Sequence, residues 1–520
     1  MRDRLRIRGR LRTGVMTGLL VSSVLLLSTV LASSGAARAE EDGDPVTIGT
    51  YRTLDSRVLD EKRTLLVSLP KGYGETMIDY PVLYLLYGGQ VRGYFAEAVH
   101  IVDRLQEAGL IPQPIIVGVK NVDRYRDNLP VGRRGEEGGA ENFLRFFTDE
   151  LIPFVDASYR TKDFRILVGP QAGASFGLYA LLEQPGLFRV NIVTNPFWNQ
   201  SVREYLLTRS EEFFRLDGPL ENFFFVRSGT RDDNEATLEY LDKLVAVVGE
   251  GGRPGFTIVL DEPAADEADS AIPSPGLRAG LKTYFKDYPL PEETEITGLE
   301  DIEAYYRALS RDYGYEVDIP ERTLIMEADE LQRKMRAEEA ETIYQYVITR
   351  YPHNLDSYIR LAEMHRRLGD YDKSIAYYEE FLARRPEPMI QRRLDELRRY
   401  VHASAAYAVK KAVLSSGIEA GIARYRELKA DDGGRFYFDE AEFNSLGYNL
   451  VAKDMLDAAV EVFRANVEMN PESANAHDSL GEAYMLKGDR EAAIESYTKS
   501  LELNPENSNA VEKLENLNAD

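Results

Sequence analysis

Two different patterns of hydrophobic residues divide this chain into two parts. In the first part, short apolar runs alternate with longer amphipathic segments. The apolar runs predict buried strands at residues 81–86, 115–119, 165–168, 190–193, 223–226 and 256–260, and the segments between them predict helices at 95–108, 140–157, 174–184, 200–214 and 235–249. Period-two alternation over 47–54 and 63–69 predicts an antiparallel hairpin before them. This order of elements is typical of a mostly parallel, doubly wound sheet with helices on both faces.

The second part repeats with a period of 34 residues. In the frame 474–507, the positions that define the tetratricopeptide repeat are held by Leu480, Gly481, Tyr484, Ala493, Tyr497 and Pro505. The frames 440–473 and 355–388 follow the same pattern, and the frame 321–354 keeps its second half. Because small residues let paired helices approach and large ones fill the groove between repeats, the pattern predicts an all-α solenoid.

These patterns divide the chain into an α/β domain at 44–288, a linker with a hinge helix at 289–320, and repeats at 321–520. The Pro- and Glu-rich residues 287–294 predict an exposed linker with few contacts across it. Repeat solenoids usually bind proteins or peptides on a concave face, so we predict an unidentified protein or peptide partner. A stabilising or dimerising appendage is one alternative. An assembly protein whose first domain is only a spacer is another.

The N-terminus predicts export. Six arginines in the first 12 residues, a mostly apolar stretch at 14–32 and the small-residue motif at 37–39 fit a secretory signal peptide over 1–39, with cleavage before Glu40. The mature chain would then be periplasmic or secreted, with membrane contact only through the transient signal peptide. An uncleaved membrane anchor is the alternative.

Charge and composition exclude two kinds of chemistry. The net charge is −24, and so acidic a chain is a poor ligand for phosphate backbones, so we predict no nucleic-acid partner. The chain has no cysteine, which excludes disulfides and thiolate metal sites. His365 and His477 fall on predicted repeat helices, where a packing or surface position is the favoured interpretation. We therefore predict neither a metal nor another cofactor.

The most informative motif follows the predicted strand at 165–168. Gly169-Pro170-Gln171-Ala172-Gly173 has the two glycines of the nucleophile-elbow pattern G-x-S-x-G, between a strand and a predicted helix. The position of the nucleophilic serine is held by Gln171. A primary amide is a very poor nucleophile, so the motif predicts an esterase framework without ordinary esterase chemistry. We expect the Gln171 amide to project into a cleft and to find a polar partner there, with Asp269 the leading candidate.

Several segments together resemble one family. The segments 81–89 (PVLYLLYGG), 121–130 (NVDRYRDNLP) and 141–159 (ENFLRFFTDELIPFVDASY), with the elbow helix, are similar to the putative-esterase branch of the α/β-hydrolase superfamily. That branch includes enterochelin and ferric-siderophore esterases and the esterase D type. The resemblance covers essentially all of 44–288. It implies an α/β-hydrolase-like doubly wound sheet, here followed by the repeat solenoid.

The resemblance also implies where a catalytic triad would lie, in the order Ser, acid, His. Asp232 or Asp233 is the candidate acid. Matching a Pro-x-Pro step of the family places Asp269 at the histidine position, and His100 is the one histidine in 44–288. With neither Ser nor His in place, we predict a pseudo-enzyme. The alternative is a divergent carboxylic ester hydrolase acting on siderophore-like or acyl esters, with Ser175 as a displaced nucleophile or a carboxylate such as Asp269 that activates water.

A ligand-binding cleft would survive the loss of the triad. The candidate cleft residues are a glycine loop with oxyanion-type N–H groups, a loop at the cleft mouth, the elbow and an aromatic wall: Gly88, Gly89, Gln90, Arg124, Arg126, Asp127, Gln171, Ala172 and Trp198. A structural salt-bridge network with Asp123 and Asp127 is the alternative role for the two arginines. Ordinary core packing is the alternative for Trp198.

Overall fold

The fold was analysed in a computed structural model, which describes residues 47–86, 91–132, 135–196, 198–228, 235–251, 253–261, 274–431 and 434–519. Ala39–Asp520 forms one compact unit. The predicted signal peptide at 1–39 lies outside the described residues and stays a prediction. No helix in the described part of the chain is both long enough and apolar enough to span a membrane.

The first part of the chain folds around one mixed sheet. Its eight strands are β1 (Thr50–Ser56), β2 (Glu61–Ser68), β3 (Tyr80–Leu86), β4 (Ile115–Val119), β5 (Thr161–Pro170), β6 (Val190–Thr194), β7 (Phe223–Arg227) and β8 (Thr257–Asp261). Their order is β1-β2-β4-β3-β5-β6-β7-β8. The β1–β2 and β2–β4 pairs are antiparallel, and every later pair is parallel. The predicted hairpin and parallel sheet are both confirmed.

Helices cover the sheet in the alternation that the apolar runs predict. They are α1 (Val91–Glu107), α2 (Arg124–Asn128), α3 (Ala140–Phe146), α4 (Ile152–Ser158), α5 (Ala172–Glu183), α6 (Gln200–Phe214), α7 (Glu235–Gly251) and α8 (Ser274–Tyr284). The predicted helix at 140–157 is α3 and α4 joined by a π-helical turn at Phe147–Leu151. Rings of Phe143 and Phe147 contact Phe176 of α5 at centroid distances of 4.9 and 5.5 Å. This aromatic cluster packs the start of the α3 segment against the helix that follows Gln171.

The described secondary structure of the second part of the chain is helical, apart from one isolated bridge between Ser404 and Tyr437. After α9 (Leu299–Tyr313), the helices are α10 (Glu321–Arg333), α11 (Ala337–Arg350), α12 (Asp356–Arg367), α13 (Tyr371–Arg384), α14 (Pro388–Ala403), α15 (Ala405–Ser416), α16 (Ile418–Lys429), α17 (Glu440–Ala452), α18 (Leu456–Met469), α19 (Ala474–Lys487), α20 (Arg490–Leu503) and α21 (Ser508–Ala519). The helix pairs α12–α13, α17–α18 and α19–α20 coincide with predicted repeat frames.

The small and large positions of the repeats meet as the pattern requires. A Cβ added to Gly447 of α17 would lie 2.3 Å from the ring of Phe463 on α18. One added to Gly481 of α19 would lie 3.0 Å from the ring of Tyr497 on α20. The glycines therefore let each aromatic ring pack directly on the backbone of the partner helix.

The expectation of few contacts across the linker is wrong. One continuous core includes Leu65 of the sheet, Tyr288 and Tyr306 of the linker and Met364 of the repeats. Buried Tyr306 donates a hydrogen bond to the Tyr288 carbonyl at 3.0 Å, so its ring can be buried without an orphaned hydroxyl. The segment is Pro- and Glu-rich, but its tyrosines pack the α/β domain against the first repeats.

Ion pairs reinforce the same junction. Lys162 of β5 contacts Asp318 at 2.6 Å, and Arg350 of α11 contacts the other oxygen of that carboxylate. His353 contacts Glu321 of α10 at 2.9 Å and lies directly against Gly72 of the α/β domain, where an added Cβ would be 2.5 Å from its Nδ1 atom. The first repeats and the sheet domain are therefore bound by packing and by charge.

Candidate functional site

Gln171 occupies a sharp turn between β5 and α5. Its φ is 52° and its ψ is −115°, a positive φ that non-glycine residues rarely adopt. The backbone is held there because the Gln171 N–H donates to the Thr194 carbonyl of β6 at 2.9 Å, and the Gln171 carbonyl accepts from the Ala174 N–H at 3.0 Å. This strand–turn–helix is the geometry that lifts a nucleophile above the carboxyl edge of an α/β-hydrolase sheet.

The two glycines of the elbow have different steric roles. A Cβ at Gly169 would lie 2.4 Å from the Gly173 carbonyl oxygen, a backbone atom that cannot move without unwinding the start of α5. A Cβ at Gly173 would have Leu86 Cβ as its nearest neighbour, at 3.4 Å, which is ordinary contact. Close packing therefore requires glycine at position 169 and does not require it at position 173.

We expect Gly169→Ala to destabilise the protein and Gly173→Ala to be tolerated. The first forces overlap with a backbone carbonyl and should cost roughly 1–3 kcal/mol. The second adds a better helix former to α5, a gain of up to about 1 kcal/mol in a helix interior. Thermal denaturation of the two variants checks this. Equal loss of stability in both would show that the turn does not have the tight geometry described here.

The Gln171 side chain is half-buried and has a cationic partner. Its Oε1 accepts a hydrogen bond from Arg124 Nη1 at 3.1 Å. Because an arginine only donates, this contact orients the carboxamide with its oxygen towards Arg124 and leaves its NH₂ group as the donor. The Arg124 guanidinium also lies over the Tyr125 ring, 4.9 Å from its centroid. The arrangement offers N–H donors and a positive charge where a serine hydrolase would have its nucleophile.

The other residues predicted at the cleft mouth belong to a buried ion-pair network. Arg63 of β2 is 0% exposed and contacts Asp127, 1% exposed, at 2.7 Å. Arg126 contacts the other oxygen of Asp127 at 2.7 Å, and both arginines contact Glu61, at 2.5 and 2.7 Å. The network therefore holds α2 against β2. Asp123 is outside it and instead caps α2 by accepting from the N–H groups of Tyr125 and Arg126.

The charges of this network shift the pKa values of its members. Burial acts to raise the pKa of the Glu61 carboxyl, but the guanidinium groups of Arg126 and Arg63 outweigh it and hold that pKa below its ordinary value. Hydrogen bonds to Glu61 and Asp127 raise the pKa of Arg126. These pKa shifts are in the directions expected for a group of ions that keep one another charged.

Two further predicted site residues are core residues. Trp198 is 3% exposed, and its ring contacts Tyr240 edge-on at 4.8 Å. Ala172 is buried at the start of α5. Trp198 therefore packs in the core, which is the alternative role considered for it above. Gly88, Gly89, Gln90, Asp232, Asp233 and Asp269 lie outside the described residues, so their predicted places in the site stay predictions.

Ser175 and the five histidines, all in the described part of the chain, are not placed to act at the elbow. Ser175 is 0% exposed within α5, and its Oγ has no hydrogen-bond partner among the described residues, so it packs in the core and does not face solvent. All five histidines lie in the described residues. His100 is exposed on α1, and the other four belong to the repeat region, where His353, for example, pairs with Glu321. None of the five forms a hydrogen bond with the elbow.

Comparison with known proteins agrees with this architecture. Residues 56–234 match the family described as Putative esterase, and residues 325–387 and 474–507 match tetratricopeptide repeat families. The chain therefore joins an esterase-like α/β domain to tetratricopeptide repeats. Repeats of this class indicate protein–protein interaction in general.

The chain is also similar to two curated relatives and to one solved structure. The ferri-bacillibactin esterase BesA of Bacillus subtilis (strain 168) is 33% identical over 159 residues, 26% of this chain and 54% of that protein. The uncharacterized protein YjcH of the same organism is 30% identical over 154 residues, 29% of this chain and 62% of that protein. The chain thus spans between half and two thirds of the length of these relatives. An IroE-like serine hydrolase from Shewanella oneidensis aligns with a TM-score of 0.48 and 24% identity, over 57% of this chain and 99% of the other.

Proposed function

We propose that this protein is an exported binding protein built on an esterase framework, and that its α/β domain does not hydrolyse esters by serine chemistry. The observation that carries the proposal is Gln171 in the strained turn of the nucleophile, with its amide oxygen bonded to Arg124 at 3.1 Å. The carboxamide oxygen in that contact accepts a hydrogen bond from a guanidinium. It has no proton that a general base could remove at neutral pH.

The positions of the histidines, all of them in the described residues, support the same conclusion. Serine hydrolysis needs an imidazole in hydrogen-bond reach of the nucleophile. The five histidines of the chain lie on α1 and in the repeat region. Losing triad members lowers the rate by about 10⁴–10⁶ in a related type of enzyme. Two substitutions in a framework that still folds favour a change of role over random damage.

The relatives supply the class of ligand. One of them is by name an esterase of ferri-bacillibactin, a ferric siderophore, so we propose a siderophore-like or acyl ester as the ligand of the cleft. Arg124 would contact its negatively charged or carbonyl oxygens, and the NH₂ group of Gln171 would donate a second hydrogen bond. The repeats would bind a protein or peptide partner, so that the mature chain, from Glu40, acts as a scaffold between ligand and partner.

A divergent carboxylic ester hydrolase is the second candidate. The sequence match to an esterase and the retained backbone strain at Gln171 favour it. It would need an activated water, or a nucleophile other than Ser175, because the Ser175 hydroxyl is buried.

Isothermal titration of residues 40–520 with ferric bacillibactin, followed by mass spectrometry of the ligand, separates the two candidates. We expect saturable binding, recovery of intact ligand, and affinity about tenfold weaker in Arg124→Gln, because a charge-assisted contact is lost. Arg215→Gln is the matched control, since Arg215 is exposed and directly follows the last residue of α6. Recovery of hydrolysed ligand would establish the second candidate. No binding would contradict the proposed ligand class.

A further inference from the structure

A cavity lies at the edge of the sheet opposite the elbow. It has a volume of about 310 Å³. Its walls are the residues that precede or begin β5, β6, β7 and β8, and the elbow follows the other end of β5. Asp163 in its wall and Gln171 are eight residues apart along a strand, about 25 Å. The cavity is therefore separate from the cleft at Gln171.

Three arginines line this cavity, in a chain whose net charge is −24. One lies in β5, and the other two lie in the loops before β6 and β8. Arg165 is held in place by two carboxylates, Asp163 at 2.6 Å and Asp156 at 3.2 Å. Arg189 has one carboxylate partner, Glu221, at 2.8 Å, and that glutamate is largely exposed. Arg165 thus has two carboxylate partners, whereas Arg189 has one.

Arg253 has no carboxylate partner among the described residues. Its Nε donates to the Gly218 carbonyl at 3.2 Å, and its guanidinium lies over the Phe213 ring, 4.7 Å from the centroid. Both contacts position the side chain without neutralising it. The loop that carries it is fixed to the next wall of the cavity, because the Leu220 N–H donates to the Pro254 carbonyl at 2.8 Å. A cation without a carboxylate partner in the described part of the chain is therefore held in a cavity wall.

The hinge helix completes the cavity. Tyr313 ends α9 and Gly314 follows it with a φ of 73°, a left-handed turn that reverses the chain. A Cβ at Gly314 would lie 3.5 Å from Arg189 Nη2, so the backbone of the hinge passes directly over that guanidinium. The Tyr313 ring stacks on Tyr284 at 5.3 Å, which anchors this wall to α8.

We propose that this cavity binds a small free oxyanion, a molecule that carries carboxylate or phosphate groups, through Arg189 and Arg253. A planar guanidinium presents paired N–H donors that match both groups. The volume suits a compact metabolite rather than a peptide. Because the walls come from the sheet domain and from the end of α9, the bound anion would contact the α/β domain and the hinge together. The cleft at Gln171 takes no part in this site.

Isothermal titration of residues 40–520 with citrate and, separately, with inorganic phosphate tests the proposal. We expect saturable binding of at least one probe at concentrations up to about 10 mM, and affinity at least about tenfold weaker in both Arg189→Gln and Arg253→Gln. The two probes distinguish a carboxylate from a phosphate site. Arg215→Gln, which removes an exposed arginine outside the cavity, should bind as the unsubstituted protein does.

Three results would overturn the proposal. These are no binding of either probe, an equal loss in Arg215→Gln, which would indicate a general charge effect, and a loss in Arg124→Gln alone, which would place the anion in the cleft. Thermal denaturation without ligand shows whether the cavity variants are folded. None of these results depends on the function proposed for the cleft, because Arg124 and Gln171 are tested separately from Arg189 and Arg253.

Discussion

Residues 40–520 are expected to hydrolyse p-nitrophenyl acetate and butyrate no faster than the denatured protein does. The nucleophile turn holds Gln171, and the described histidines make no contact with it. Without a nucleophile and a base, the rate should fall by about 10⁴–10⁶ relative to an intact serine hydrolase. A spectrophotometric assay of released p-nitrophenol measures it.

Three variants sharpen this assay. Gln171→Ser alone should stay inactive, because the serine would lack a base. Ser175→Ala should change nothing, because Ser175 is buried. Adding Asp269→His to Gln171→Ser supplies both missing groups, and activity in the double variant alone would support the position assigned to Asp269. Turnover by the unsubstituted protein that disappears in Ser175→Ala would contradict the account.

Asp127→Ala is expected to lower the free energy of unfolding by about 3–5 kcal/mol. Asp127 is 1% exposed and contacts both Arg63, which is 0% exposed, and Arg126. Removing it leaves a buried guanidinium with Glu61 as its remaining carboxylate partner, and breaking a buried pair on one side is strongly destabilising. Chemical denaturation measures the loss.

Arg124→Gln is the matched control for this measurement. Arg124 lies in the same helix as Asp127, but it contacts the half-buried Gln171 rather than a buried ion. Its substitution should change stability by less than about 1 kcal/mol while weakening ligand binding. If Asp127→Ala were as stable as the control, Asp127 would not be the structural residue described here, and a role in the cleft would have to be reconsidered.

The sheet could be predicted from the sequence because most of its strands are apolar on both faces. All seven residues of β3 are buried, and a continuous apolar run is the signal of such a strand. The prediction missed the start of β5, which begins at Thr161 rather than at Arg165. Thr161, Lys162 and Asp163 are polar, and the pairing of Thr161 with Tyr80 gives no periodic signal along the chain.

The junction between the two parts was harder to predict. Pro and Glu residues indicate an exposed linker. Tyrosine has an apolar ring and a polar hydroxyl, so its presence predicts neither an exposed nor a buried segment. Tyr306 buries its ring and bonds its hydroxyl to a carbonyl 18 residues earlier in the chain. Local composition contains no information on a partner at that distance.

The candidate site shows the same limit. The motif at 169–173 locates the elbow, because the pattern is local. It does not tell which arginine of α2 reaches Gln171. Arg124 and Arg126 are two residues apart, about 200° around a helix, and so face opposite sides. Arg63 is the residue that the sequence concealed most fully, since a charged side chain in a strand is ordinarily expected to face solvent.

Labelling with a fluorophosphonate probe tests the central claim most directly. Such probes phosphonylate an activated serine in serine hydrolases, and intact-mass spectrometry of residues 40–520 detects the adduct without any need for turnover. The account predicts no adduct on the unsubstituted protein, since the elbow holds Gln171 and Ser175 is 0% exposed. A stoichiometric adduct on a serine of the α/β domain, lost on denaturation before labelling, would contradict it.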